Sequence, residues 1–325
     1  MPLDLFLRFY FLNRKKEFTA EDRALLVDHI YTLTRWKGLL EFLARKPATW
    51  ANMLQIYDKA GVQMILKEPR RQLLSKEAVD ENPVLQRLER AAPHIIVSYP
   101  HNLFSKLEES LKDDKQFVRP SESVTEAAKR LCLIQNERPL TTIRANTMRT
   151  TRQELLRTFT KEADIWKSTG RFTEHAPNGI RFDRQLKGNL FKMVEYKKGH
   201  FEVQDEASQL LAMRVDVRPG QTVLDYCGGS AGKSLAFAPF MHNTGQIYVH
   251  DIRKSVLMQA KVRLKRAGVQ NAQVHHDKVR LRKLLKNRCD WVLLDVPCTG
   301  SGVLRRNPDL KWKFDPDRMA ELLKV

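Results

Sequence analysis

From Gln204 onward the chain alternates short apolar runs with helical stretches, and a sequence with that rhythm has few folds open to it. Residues 221–227 read as a strand, followed by the small-residue turn 228–232 and a helix from Lys233. A second strand spans 246–251 with a helix over 255–266, and a third spans 273–277 with a helix over 280–286. The Val/Leu-rich stretch 291–296 reads as a fourth, buried strand. Asp315-Pro316 then has the form of an N-cap with proline at the first helical position. The alternation predicts an α/β domain with a doubly wound, mostly parallel sheet and right-handed crossovers.

Acids at the predicted strand ends suggest what such a sheet would hold. Asp251 closes the second strand, where a carboxylate can accept hydrogen bonds from both hydroxyls of a ribose. Asp277 closes the third, placed to meet an adenine amino group, and Asp295 closes the fourth beside the substrate. Any one of them could be only a helix N-cap, but three on one sheet edge point to an adenosyl ligand without phosphates. The turn Cys227, Gly228, Gly229, Ser230, Ala231, Gly232, Lys233 lets that ligand approach the backbone. Its rival reading is the P-loop of an NTPase, which needs four residues between Gly and Gly-Lys-Ser/Thr; only three separate Gly228 from Gly232.

The chain carries 57 Lys+Arg against 38 Asp+Glu, a net charge of +19, which favours a polyanionic partner. The excess is clustered. Residues 138–198 hold 14 basic and 6 acidic side chains, and residues 278–313 hold 10 and 3. Three regions separate: a helical region over 1–115, a small basic α+β connector over 121–199, and the α/β domain over 200–325. In the first, Thr19 and Asp22 form a candidate capping box ahead of a helix carrying Leu26, Ile30, Leu33 and Leu40, with Trp36 and Phe42 on the packed side. The apolar stretch 5–12, interrupted by Arg8, reads as a packed helix and not as a signal peptide. Four cysteines without a Cys-x-x-Cys pair argue against a zinc site or a disulfide framework, and the reading carries no metal and no membrane span. Cys132 and Cys289 read as core residues, and His275 and His276, adjacent in a strand, face opposite sides.

The run 290–312 carries the most chemistry. Its strand ends in Asp295-Val296-Pro297-Cys298, followed by a Gly-Ser-Gly loop and Arg305-Arg306. A carboxylate, a thiol and a rigid proline at a strand end suit a planar, hydrogen-bonding substrate such as a nucleobase. The motif from Asp295 to Arg306, the turn 227–233 and the segment 201–208 together resemble the RsmB/Sun-type RNA (cytosine-5) methyltransferases. Weaker similarity covers 136–146, akin to that family's small RNA-binding region, and 22–43, akin to its NusB-like helical domain. The resemblance implies a Rossmann-like methyltransferase domain behind an all-α NusB-like domain. It further implies S-adenosyl-L-methionine as cofactor, RNA as partner with ribosomal RNA favoured over transfer RNA, and a monomer working in the cytoplasm, or in a nucleolus or organelle if eukaryotic.

For the site, the resemblance implies that residues 227–233, Asp251, Asp277 and Asp295 hold the cofactor, and that Asp295 also grips the cytosine N3/N4 edge. Cytosine C5 becomes nucleophilic once a thiolate adds at C6, so the chemistry needs a reactive cysteine and a base held out of its stack. In this family the attacking cysteine lies in a later Thr-Cys motif, and Cys298 corresponds to the second cysteine, implicated in product release. Arg144, Arg305, Arg306 and Lys311 are the expected RNA contacts. Two departures stand out. Ser230 and Ala231 replace the family's Pro-Gly, which could loosen the turn. No Thr-Cys pair occurs, so a truncated longer enzyme is expected; the alternatives are Cys298 as nucleophile or a non-catalytic RNA-binding protein that keeps the fold.

Overall fold

The computed structural model describes residues 1–14, 16–44, 48–58, 62, 66, 86–88, 90–184 and 186–324. The chain forms two compact units, one made of Met1–Pro139 with Cys298–Val325 and the other of Leu140–Pro297. The sequence boundaries near 115 and 200 thus do not coincide with this division. Helix Val124–Asn136 buries Ala127, Ala128, Cys132 and Leu133 in the core of the helical unit, which carries that unit on to Pro139.

In the helical unit, Thr19 caps helix Ala20–Arg35 through the expected box: its hydroxyl accepts from the Asp22 amide at 3.1 Å, and the Asp22 carboxylate accepts from the Thr19 amide at 2.9 Å. Trp36 and Leu40 are buried as expected, with Leu39 beside them, whereas Leu26, Ile30 and Leu33 are half-buried and Phe42 is exposed. The apolar N-terminal stretch does form a helix, Leu3–Asn13, but only Leu7 is buried in it; Phe6 and Phe9 face outward, so the expected packed helix is packed along one line only.

The return segment from Cys298 brings Leu304 into the same core and adds the 3-10 turns Ser301–Val303 and Pro308–Lys313. Trp312 donates its indole N–H to the Thr34 carbonyl at 2.7 Å. Helix Pro316–Leu322 follows, with Asp315 capping it and Pro316 in its first turn, as the sequence indicates.

The second unit holds two sheets. Strands β1 (Thr142–Ala145), β2 (Gly170–Phe172), β3 (Gly179–Phe182) and β4 (Phe201–Val203) form an antiparallel sheet in the order β2-β3-β1-β4. Phe159, Phe182 and Phe201 centre its core, the first two rings 4.9 Å apart. Strands β5 (Thr222–Asp225), β6 (Gln246–His250), β7 (Ala272–His275) and β8 (Trp291–Leu293) form a parallel sheet in the order β7-β6-β5-β8. Helices Lys254–Ala267 and Lys278–Leu285 connect successive strands, the βα alternation read from the sequence.

The fourth strand departs from expectation. It stops at Leu293, and Val292, Leu294 and Val296 are more than half exposed instead of buried. Among the described residues β8 pairs only with β5, and its last partner, Asp225, is where β5 turns away into the loop at 226–233. Beyond Leu293 the chain has no ladder to follow.

Candidate functional site

The parallel register sets four strand ends side by side: Asp225 lies level with Val249 and Leu293, and His250 level with His275. Every acid of interest in this unit follows from that alignment.

Asp225 ends β5 and is fully buried. Its Oδ2 accepts from the Ser234 hydroxyl at 2.7 Å, while Oδ1 has no partner. Burial lifts its carboxyl from 3.8 to about 6, against the Ser234 hydrogen bond and the Lys233 charge, which pull it down. The sequence reading passed over this residue as one more strand position. The rule applied to the other strands, an acid closing the apolar run, would have found it.

The turn after Asp225 runs tightly past β6. Gly228 donates its amide to the His250 carbonyl at 2.9 Å, and a Cβ at Gly228 would sit 2.7 Å from Val249 Cγ1 and 2.9 Å from the Asp225 carboxyl carbon. Gly229 has φ +54°, and its amide donates to Asp251 Oδ2 at 3.1 Å. Ala231 also has positive φ, +62°, a conformation that costs a non-glycine residue about 1–2 kcal/mol. Ala231, where the resemblance leads one to expect glycine, thus falls at a left-handed position.

Asp251 is buried and grips Arg253: its oxygens accept from the Arg253 amide, Nε and Nη2, each at 2.9 Å. That hydrogen-bonded guanidinium holds the carboxyl at about 2, well below the usual range. Lys233 forms an ion pair with Asp295, joining the cofactor-type turn to the end of β8. Cys227 reports the same clustering. Burial raises its thiol pKa, and the charges of Asp251, Asp225 and Asp295 all push in the same direction. Three carboxylates therefore surround one turn, a thiol held in its protonated form beside them.

Asp277 stands apart from that group. Its Oδ1 accepts from the Val279 and Arg280 amides at 2.9 and 3.0 Å, capping helix Lys278–Leu285 in an exposed position. Its observed role is the N-cap.

Two expected RNA contacts are corrected by burial. Arg144 is only 4% exposed and spends its guanidinium on Gln204 Oε1 at 2.7 Å and the Leu235 carbonyl at 2.8 Å. Lys311 is 1% exposed, donating to the Arg35 carbonyl at 2.6 Å and Asn136 Oδ1 at 2.9 Å, with the Tyr99 ring 4.4 Å away. Neither can reach a phosphate. Arg305 is half-buried and pairs with Glu137 at 3.0 Å, and Arg306 is exposed. Cys298, which opens the return segment, is exposed, while Cys132 is buried as expected and Cys289 half-buried.

A parallel sheet with acids gathered at the carboxyl ends of its strands, and an acid–lysine link to a Pro-Cys motif, has the form of a Rossmann-like methyltransferase domain. Comparison with known proteins agrees: residues 212–325 match the model of the family 16S rRNA methyltransferase RsmB/F. It is 33% identical over 204 residues to a probable ribosomal RNA small subunit methyltransferase B of Bacillus subtilis, covering 62% of this chain and 44% of that protein. It is 29% identical over 178 residues to a 28S rRNA (cytosine-C(5))-methyltransferase of Mus musculus, covering 55% of this chain and 22% of that protein. The chain thus spans less than half the length of these curated relatives. Among solved structures, that of PH0851 superposes with a TM-score of 0.67 at 21% identity, over 98% of this chain and 75% of the other, and shares the fold.

Proposed function

We propose that this protein transfers a methyl group from S-adenosyl-L-methionine to C5 of a cytosine in RNA, with ribosomal RNA as the substrate. The observation that carries the reading is the convergence of Asp225, Asp251 and Asp295 on the turn at Cys227, with Lys233 bridging to Asp295. The names of the relatives supply the RNA class and the C5 position. The proposed workplace is the cytoplasm, or a nucleolus or organelle in a eukaryote.

The residues suit an adenosyl ligand. The partnerless Oδ1 of Asp225 and the carboxylate of Asp251 offer acceptors around a turn whose side chains are small. Bound there, the cofactor supplies an electrophilic methyl group on a sulfonium. Asp251 holds the ribose hydroxyls, residues 228–232 let the ligand approach the backbone, and Asp277 uses the oxygen left free by its cap toward the adenine edge. Asp295 accepts from the cytosine N4 edge, and Lys233 holds that carboxylate in place. By the resemblance Cys298 corresponds to the cysteine of product release, and the thiolate that must add at cytosine C6 before the methyl group moves is assigned to no residue, since the sequence holds no Thr-Cys pair.

The polyanionic partner has a second support. A concavity beside β7 is lined by Arg149, Lys261, Lys265 and His275, with no carboxylate among its lining residues. Removing Lys261 and Lys265 together should reduce the slope of log affinity against log salt by about one per lysine, which RNA titration at several salt concentrations reads directly.

The deciding experiment measures two quantities on one preparation: S-adenosylmethionine affinity by calorimetry, and 5-methylcytosine formed in ribosomal RNA by mass spectrometry. Asp251→Ala should weaken cofactor binding at least about tenfold. Asp295→Asn should lower methylation by about a hundredfold, more than its loss of cofactor affinity accounts for. An unmodified protein that binds no cofactor would overturn the reading. Cofactor binding without 5-methylcytosine would overturn its catalytic half and leave an RNA-binding protein that keeps the fold.

A further inference from the structure

The sequence leaves the cofactor turn without its usual stiffener, since Ser230 occupies the place of the family's proline and Ala231 sits at positive φ. Its shape is instead held from outside. Three carbonyls in and just after the turn each accept from a side chain rooted elsewhere: Ser230 O from Arg263 Nη1 at 2.9 Å, Gly232 O from Gln204 Nε2 at 3.1 Å, and Leu235 O from Arg144 Nη1 at 2.8 Å. The Arg263 Nη1 also donates to the Ser230 hydroxyl oxygen at 2.5 Å.

These donors are themselves braced. Arg144 Nε donates to Gln204 Oε1 at 2.7 Å, and Arg263 Nε and Nη2 both donate to Glu202 Oε2, at 3.2 and 2.9 Å. Arg266 pairs with the other oxygen of Glu202. Glu202 is 3% exposed, so this is a buried carboxylate shared by two guanidinium groups, an arrangement whose geometry is stiff because neither charge can be left unpaired. Helix Lys254–Ala267 delivers Arg263, and β4 delivers Glu202.

We infer that Arg263, oriented by Glu202, is a positioning residue for cofactor binding: it fixes the 227–233 turn at Ser230 in the way a proline ring would. The inference rests on the adenosyl site proposed above. Its chemistry is that of planar, multidentate recognition. One face of the guanidinium fork holds the turn's carbonyl and hydroxyl while the other is held by a carboxylate, which a lysine cannot reproduce. The Gly229 amide lies one residue before the clamped position and donates to Asp251, so the clamp sets the distance between the turn and the ribose-binding acid.

The test compares the unaltered chain with Arg263→Ala, Arg263→Lys and the double variant Arg263→Ala/Ser230→Pro. Two readouts are used: amide hydrogen exchange of residues 227–233 in the ligand-free protein, and calorimetric affinity for S-adenosylmethionine. The clamp predicts faster exchange in the turn for both single variants, with β5 and β6 protected as before, and affinity weakened about tenfold. It predicts that Ser230→Pro returns both quantities most of the way, because the ring pre-sets φ where the guanidinium no longer acts. A purely structural ion pair would lower thermal stability without proline rescue of affinity, and that result would overturn the inference. Unchanged exchange in the turn of Arg263→Lys would overturn it as well, even if Arg263→Ala fails to fold. An unaltered protein that binds no cofactor counts against the methyltransferase reading, and the exchange measurement still decides the clamp.

Discussion

Asp225 is a carboxyl that the fold makes harder to ionise. An acid whose carboxyl is raised to about 6 binds its proton more tightly folded than unfolded, so its ionisation opposes folding, increasingly as pH rises from 3.8 to about 6. The full penalty, about 3 kcal/mol at most, is in place above pH 6. Asp225→Asn should therefore be more stable than the unaltered protein at pH 7, and the advantage should disappear by about pH 4, as denaturation curves at several pH values would show. Asp251 behaves in the opposite sense. Held at about 2 by Arg253, it stabilises the fold above pH 3.8, and that contribution is lost as pH falls toward 2. One strand end resists ionisation and its neighbour is fixed in the ionised state, a difference of environment that the identical residue type conceals. Arg144 and Lys311 make the same point for cations. Clustering of basic residues marks a polyanion surface only where the charges are not consumed internally, and the carbonyls that consume these two come from residues 35 and 235, far away in sequence.

At the scale of elements, the parallel strands and their helices were legible because period and punctuation agree: short Val/Leu/Ile runs, small-residue turns, and acids at the ends. The capping box at Thr19 was legible for the same local reason. The end of β8 was not, since a strand stops where its neighbour departs, and the departure of β5 at Asp225 is a tertiary event. Gly199 shows how strict such junctions are. With φ +74° it precedes β4, and a Cβ there would lie 2.1 Å from the Arg266 carbonyl oxygen. Gly199→Ala should cost at least about 2 kcal/mol, read as a lower denaturation midpoint with an unchanged slope. Thr19→Ala, by contrast, should cost only about 1 kcal/mol, because its helix end is exposed and water replaces the hydroxyl.

Over the whole molecule, the course of the chain departs most from the expected order of domains. The run 298–325 follows the α/β strands in sequence but packs its Leu304 and Lys311 with the helices that open the chain. Nothing in hydrophobic period announces this, since a lysine such as Lys311 reads as surface until the Arg35 carbonyl and the Tyr99 ring are seen around it. Lys311→Glu should accordingly destabilise the helical unit by at least about 3 kcal/mol in thermal unfolding, by facing buried acceptors with an anion. Arg306→Ala, at an exposed cation, should leave the melting temperature within about 1 °C. The boundary expected at residue 200 can be examined by dissection as well. A fragment beginning there would keep all four parallel strands yet lose Arg144, and it should bind S-adenosylmethionine more weakly than a fragment beginning at 140.

A turn braced by Arg144 of β1, by Gln204 just past β4 and by Arg263 of a distant helix is not portable. Transplanting the seven residues from Cys227 to Lys233 into a related sheet would carry the letters of the motif without the scaffolding that gives them their shape. For this chain, the inheritable unit of ligand recognition is the turn together with its remote supports.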